Sequence, residues 1–203
     1  MPKILTKSRP TPRTATDSDR QKPATASCCA FPSELGAIGL AWRGDSLTGI
    51  SIGHASEAEA LAVHASRGAL AAGDPPEFIL QLAERLQRYA AGEADDFRDV
   101  PLDLSHLSPF QKRVVERCRR IAAGRTRTYG ELAALAGSPG AARAVGNVMA
   151  QNRFPIIIPC HRVVGSAGSL GGFSAPRGTS LKVAMLTLEG ALPAKGRLVR
   201  KAR

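Results

Sequence analysis

Two helix-initiation patterns do most to constrain the fold. Ser108 can cap a helix whose first residue is Pro109, with Gln111 three positions on, and Thr128 with Glu131 repeats the spacing. In such a capping box the hydroxyl accepts from the third backbone N–H, and the Gln or Glu side chain returns to the N–H of the cap. Phe110, Val114, Cys118 and Ile121 share one face of the first helix, which makes Cys118 a core residue. Gly124 is expected to end that helix and Gly137 the next, and Ser138-Pro139 opens another running to about Gln151. The second half of the chain is therefore an array of short helices. Thr128 to Ala136 and Ala141 to Gln151, joined by a glycine turn, read as a helix-turn-helix.

The first half reads differently. Ile38, Leu40 and Trp42 alternate, Arg43-Gly44-Asp45 supplies a turn, and Ile50 and Ile52 follow, which predicts a β-hairpin. Glu57 to Ala72 is alanine-rich and predicted helical. After Pro75, Ile79, Leu82, Ala83, Leu86 and Ala90 recur at helical spacing before Gly92. Acidic residues between 93 and 99 mark a linker. The expected organisation is a disordered basic tail over 1–27, an α/β domain with its linker over 28–99, a DNA-binding domain over 100–190 and a basic tail over 191–203.

Charge is segregated along the chain. Of the net +11, residues 1–30 carry +4, residues 31–100 carry −6 and residues 101–203 carry +13. A domain so basic fits a polyanionic partner, although a solvated basic face would give the same count. No apolar stretch approaches the roughly 20 residues of a spanning helix. Lys3 to Lys22 is rich in Thr, Ser, Pro and basic residues and lacks the apolar core of a secretory signal. Cytoplasmic residence and no membrane association are expected. Cysteines 28, 29, 118 and 160 form no CxxC pair. Cys28, Cys29, His54 and His64 offer metal-ligand chemistry, but adjacent cysteines lack the usual ligand spacing, so no metal is expected.

The chemistry concentrates at Ile158-Pro159-Cys160-His161-Arg162-Val163-Val164. The isoleucines at 156, 157 and 158 suit a buried strand, and Pro159 places Cys160 where that strand breaks into a turn. An imidazole beside a thiol can raise its thiolate fraction, and the thiolate is the nucleophile. A small buried hydrophobe is the alternative for this cysteine.

Five ordered motifs carry a resemblance: Ser108-Pro109-Phe110-Gln111, Thr128-Tyr129-Gly130-Glu131-Leu132-Ala133, Ala141-Ala142-Arg143-Ala144-Val145-Gly146, Pro159-Cys160-His161-Arg162-Val163, and Leu188-Glu189-Gly190. With the Asn152-Arg153-Phe154-Pro155 lead-in and the Gly165 to Ser174 loop, they resemble the methylated-DNA–protein-cysteine methyltransferases, or O6-alkylguanine-DNA alkyltransferases. The likeness runs over about residues 31 to 190 and is strongest in the second half. It implies an α/β, ribonuclease-H-like N-terminal domain followed by a mostly α winged helix-turn-helix domain. It also implies a monomer acting without a cofactor on double-stranded DNA that contains alkylated guanine.

The residue roles follow from the same resemblance. Cys160 is the implied alkyl acceptor, His161 the base working through a water, Glu189 the group that orients the imidazolium, and Tyr129 the donor to the leaving base. Asn152 ties the turn leading into Cys160. Ser174 lies near guanine O6, with Phe173 and Val163 also at the substrate. A base buried in the duplex must be flipped out before its O6 can be attacked. Arg143 is the implied wedge, and Ala141, Ala142 and Gly146 belong to a small-residue surface that enters the minor groove. Read without the resemblance, Arg143 could contact a phosphate, Tyr129 could be structural, Glu189 could mark a helix end, and the alanines could face a core.

The chain departs from the family at Phe173, where many members carry Tyr, at Ala175-Pro176, and at Val115 in place of a frequent tryptophan. The expected function is irreversible, single-turnover transfer from O6-alkylguanine, with O4-alkylthymine as a further substrate. A non-catalytic alkyltransferase-like protein, a winged-helix transcription regulator and a Cys-His hydrolase are the rivals. The first is disfavoured by Cys160, the second leaves Cys160, His161 and Glu189 unexplained, and the third leaves the charge segregation unexplained.

Overall fold

The computed structural model describes residues 25–71, 74–166 and 169–192. The tails assigned to 1–27 and 191–203 lie almost wholly outside them. The N-terminal half is a mixed sheet with two helices. Strand β1 spans Ser27–Phe31, β2 Ala37–Arg43 and β3 Ser46–His54, followed by helix α1 over Glu57–Ala65, the short β4 at Leu70–Ala71, and α2 over Glu77–Ala90. The sheet order is β3-β2-β1-β4, antiparallel except for the parallel β1–β4 pair. The expected hairpin is β2–β3, turning at Gly44-Asp45.

Two differences from expectation arise here. Helix α1 ends at Ala65, short of Ala72, because the chain reverses at Ser66 to Gly68 so that Leu70 N–H can reach Ala26 O at 2.9 Å and extend the sheet. Strand β1 was not foreseen. The acidic stretch after α2 does join the two halves, but it is pinned. Arg85 bonds Asp95 at 2.7 and 2.8 Å and Asp99 at 2.6 and 2.8 Å, and buried Phe97 lies between them in sequence.

The C-terminal half is helical. It comprises α3 (Pro109–Arg119), β5 (Arg127–Thr128), α4 (Tyr129–Leu135), α5 (Ala142–Ala150), one 3-10 turn at Cys160–Arg162, β6 (Val163–Val164) and α6 (Gly178–Leu188). Both capping boxes form: Gln111 N–H donates to Ser108 Oγ at 3.3 Å and Glu131 N–H to Thr128 Oγ1 at 3.1 Å, each with its reciprocal bond. Helix α3 stops at Arg119, before Gly124. Helix α5 starts at Ala142 rather than at Ser138-Pro139, because Gly140 takes a left-handed conformation (φ 88°) that no helix can continue. Val115 is buried in α3, where it packs rather than reacts.

Ile156, Ile157 and Ile158 are buried as expected but form no strand. Ile156 sits at φ 74°, a conformation that a β-branched residue adopts only when its surroundings hold it there. The result is a tight turn, closed by Ile158 N–H to Phe154 O at 2.8 Å. One contiguous apolar cluster then runs from Ile38, Leu40 and Leu86 through Val114 and Cys118 to Cys160 and Leu181, so the two halves share a core. Among the described residues no helix is long and apolar enough to cross a membrane.

Candidate active site

Cys160 opens the 3-10 turn and is 8% exposed, at the floor of a cavity of about 730 Å³. Asn152 fixes its approach. The amide Nδ2 donates to Ile158 O at 2.8 Å and to Cys160 Sγ at 3.2 Å, and Oδ1 accepts from Phe154 N–H at 2.9 Å. One side chain thus ties both ends of the strained isoleucine turn and touches the sulfur. Burial pushes the thiol pKa up, opposed by the Asn152 hydrogen bond and by the charge of Lys182.

His161 is fully buried and directs Nε2 at Glu189 Oε1, 2.9 Å away. Its Nδ1 has no hydrogen-bond partner among the described residues. Burial lowers its pKa, against the pull of Glu189. An imidazole kept neutral, with Nε2–H on a carboxylate and Nδ1 free, is a proton acceptor. Glu189 caps the C-terminus of α6 and is itself held by Arg162, Nε to Oε2 at 2.8 Å and Nη2 to Oε1 at 2.7 Å. Burial would raise the Glu189 pKa, but the hydrogen bonds from His161 and Arg162 bring it down to about 2.

Tyr129 is the first residue of α4, and its ring faces the cavity. Its phenol pKa is raised by burial and then by the nearby Cys160 sulfur, which keeps the hydroxyl a donor. A Cβ on Gly171 would lie 3.0 Å from that hydroxyl, and the residue sits at φ 69°, so the close approach of the loop to Tyr129 favours glycine there. Ser174 lines the cavity while its hydroxyl donates to Ala150 O at 3.1 Å, fastening the loop to α5. Phe173, Ala175 and Pro176, where the chain departs from the family pattern, line the same cavity, as does Gly146. The rest of its lining comes from the mixed sheet, α1 and the turn after it, including Ile50, Ile52, His54, Val63 and Arg67.

Other expected site residues lie elsewhere. Val163 is buried in β6 away from the cavity lining, with its carbonyl taken by Lys182 Nζ at 2.6 Å. Ala141 and Ala142 also lie outside the lining, at the start of α5. Arg143 is exposed on α5 and makes no hydrogen bond or ion pair to any described residue. Val145, Val148 and Met149 turn inward, so the exposed face of α5 carries Arg143, Ala144, Asn147 and Ala150. Among the described residues no three His, Cys, Asp or Glu side chains gather as metal ligands.

Three participants were not anticipated. Arg162 stands inside the Cys-His motif, but nothing local indicates that its partner is 27 residues away. Lys182 is wholly buried, and its pKa falls to about 8 because burial outweighs the opposing pull of Cys160 and Cys118. A single cation within Leu181-Lys182-Val183-Ala184-Met185 was the available signal. Tyr89, on α2, donates to Glu189 Oε1 at 2.7 Å.

Cys160, the adjacent His161–Glu189 pair, and a cavity that Gly146, Met149 and Ala150 of α5 help to line thus meet at one place. Comparison with known proteins shows what the chain is similar to. Residues 109–191 match the 6-O-methylguanine DNA methyltransferase, DNA binding domain. A methylated-DNA–protein-cysteine methyltransferase from Mycobacterium leprae is 36% identical over 163 residues, 80% of this chain and 91% of that protein. A DNA base-flipping protein from Thermus thermophilus is 45% identical over 114 residues, 56% of this chain and 74% of its own. The crystal structure of Mycobacterium tuberculosis OGT in complex with DNA superposes with a TM-score of 0.65 at 36% identity, covering 80% of this chain and 92% of that one. The chain belongs to the methylated-DNA–protein-cysteine methyltransferase family, and direct alkyl-transfer DNA repair is its function.

Proposed function

We propose that Cys160 accepts the alkyl group from O6-alkylguanine in double-stranded DNA, once per protein chain. The sulfur attacks the alkyl carbon, an S–C bond forms, and the carbon–O6 bond breaks with its electron pair going to the base. The thiol proton passes through a water to His161 Nδ1, and Glu189 stabilises the imidazolium. Tyr129 donates a hydrogen bond to the leaving guanine as charge develops on it. Lys182 favours the thiolate from behind. The thioether is stable and no step regenerates the thiol, so the protein works stoichiometrically.

The observation that carries this reading is the state of His161: buried, locked on Glu189 through Nε2, with Nδ1 unpaired beside the nucleophile in sequence. For DNA access we read α4 and α5 as the helix-turn-helix, with α5 in the minor groove and Arg143 filling the stack vacated by the flipped base. The small exposed residues of α5 support this reading, since they allow close approach without a major-groove reader's long polar side chains. The short β5–β6 pair serves as the wing. The mixed sheet with α1 and α2 is read as the ribonuclease-H-like domain. The protein is proposed to act in the cytoplasm as a monomer, and O4-alkylthymine is proposed as a second substrate.

Incubation with an O6-methylguanine duplex followed by peptide mass measurement tests the assignment. A gain of one methyl is expected on the peptide containing Cys160. Methylation on another cysteine alone would refute it.

A further inference from the structure

Tyr89 belongs to the mixed-sheet half of the molecule, yet its hydroxyl ends at the carboxylate of the transfer site. The bond to Glu189 Oε1 measures 2.7 Å. The same oxygen receives His161 Nε2 at 2.9 Å and Arg162 Nη2 at 2.7 Å, so three donors converge on the atom that faces the imidazole. The residue is 2% exposed, and its ring packs edge-on against Phe97 with centroids 5.9 Å apart. The Arg85 guanidinium lies 5.1 Å from the Phe97 ring centre and is anchored by Asp95 and Asp99. The segment joining the two halves therefore packs on the Tyr89 ring, while the hydroxyl is held at its other end by Glu189. Any buried tyrosine hydroxyl needs a partner, and here the partner is the same oxygen that receives His161.

We propose that Tyr89 is a positioning residue for alkyl transfer, holding the Glu189 carboxylate and sharing the charge on Oε1 so that His161 stays neutral until it receives the thiol proton. This rests on His161 being the base. A carboxylate oxygen that accepts several donors has less charge to offer each of them. Without the hydroxyl, Oε1 would attract the imidazole N–H more strongly and favour the imidazolium. Arg162 and Lys182 also act on the imidazole, both disfavouring its charge, and Lys182, with its pKa at about 8, titrates above the histidine limb. With these unchanged, His161 would be protonated over a wider pH range, and the fraction able to act as a base would fall. Burial and the charge of Glu189 push the ionisation of Tyr89 well above its usual range, so it remains a donor wherever the reaction runs. The mixed-sheet half thus supplies a working part of the transfer site.

The test is Tyr89→Phe in the full chain, which removes the hydroxyl and keeps the ring. Single-turnover methyl transfer from an O6-methylguanine duplex is followed from about pH 5 to pH 9, a range that spans histidine titration. The acidic limb of the profile is expected to move to higher pH and the rate near neutrality to fall several-fold, with affinity for undamaged duplex unchanged. As a packing control, Phe97→Leu loosens the ring contact but leaves the hydroxyl. It should lower thermal stability without moving the limb, and an equal shift in both variants would overturn the role of the hydroxyl. The ring nitrogens of His161, titrated by NMR in wild type and Tyr89→Phe, give the same comparison without turnover. A limb that Tyr89→Phe leaves in place overturns the proposal alone, whereas a wild-type profile with no acidic limb removes His161 as base and this role of Tyr89 with it.

Discussion

Arg162 grips Glu189 through both carboxylate oxygens, at 2.8 and 2.7 Å, inside a site where the Glu189 side chain is only 3% exposed. The arginine also donates Nη1 to Ile121 O, which ties the carboxylate to the segment following α3. The pair keeps Glu189 ionised despite burial, and an ionised Glu189 keeps Nε2 of His161 protonated and Nδ1 free.

Glu189→Gln should therefore damage folding as well as transfer. A buried guanidinium left without its carboxylate costs about 3–5 kcal/mol. Urea denaturation should show a loss of that order, together with slower single-turnover transfer where the variant is folded. Wild-type stability would mean that the ion pair contributes nothing net to the fold.

Acid should weaken the protein in two windows. His64 is buried with its pKa lowered to about 4 by burial, against the hydrogen bond to Gly39, and Nε2 has no partner. The unfolded chain binds this proton more readily, so stability falls as pH drops from about 6.5 towards 4, by up to about 3 kcal/mol. Glu189, lowered to about 2, contributes stability that is present above about pH 4.5 and lost as pH falls through about 2. Denaturation midpoints across this range should show both slopes, and His64→Leu should flatten the upper one. An unchanged upper slope in that variant would assign the effect to other groups.

Arg143→Ala separates base extrusion from chemistry. The side chain is exposed and unpaired among the described residues, so its loss should leave the fold intact. If it offsets about 1.4 to 3.5 kcal/mol of unstacking, duplex repair should slow roughly tenfold to several hundredfold. Reaction with free O6-alkylguanine base, which needs no extrusion, should be nearly unaffected. Equal losses on both substrates would place Arg143 in the support of the pocket.

Local chemistry makes part of this site legible in the residues themselves: Cys160 and His161 are adjacent, and the capping boxes at Ser108 and Thr128 specify helices from four residues each. Tyr129, Asn152 and Glu189, spread over 60 residues, are legible only through the family resemblance. Ile156 to Ile158 form a turn although β-branched runs favour strands, because the Asn152 side chain, donating two hydrogen bonds and accepting one, holds the segment at both ends. Strand β1 escaped notice because Ser27 to Phe31 alternates weakly and becomes a strand through pairing with β2, Cys29 opposite Leu40. Arg162 and Lys182 find partners 27 and 19 residues away within the helical half, and Tyr89 one 100 residues away across the two halves, pairings visible only once the chain has folded.

Stoichiometric transfer to one sulfur is tested most directly by counting methyl groups. Isotopically labelled O6-methylguanine duplex in large excess should deliver one methyl per wild-type chain and then stop. Cys160→Ala should take none while still binding the duplex. More than one methyl per chain, or label retained by the Cys160→Ala protein, would contradict the account.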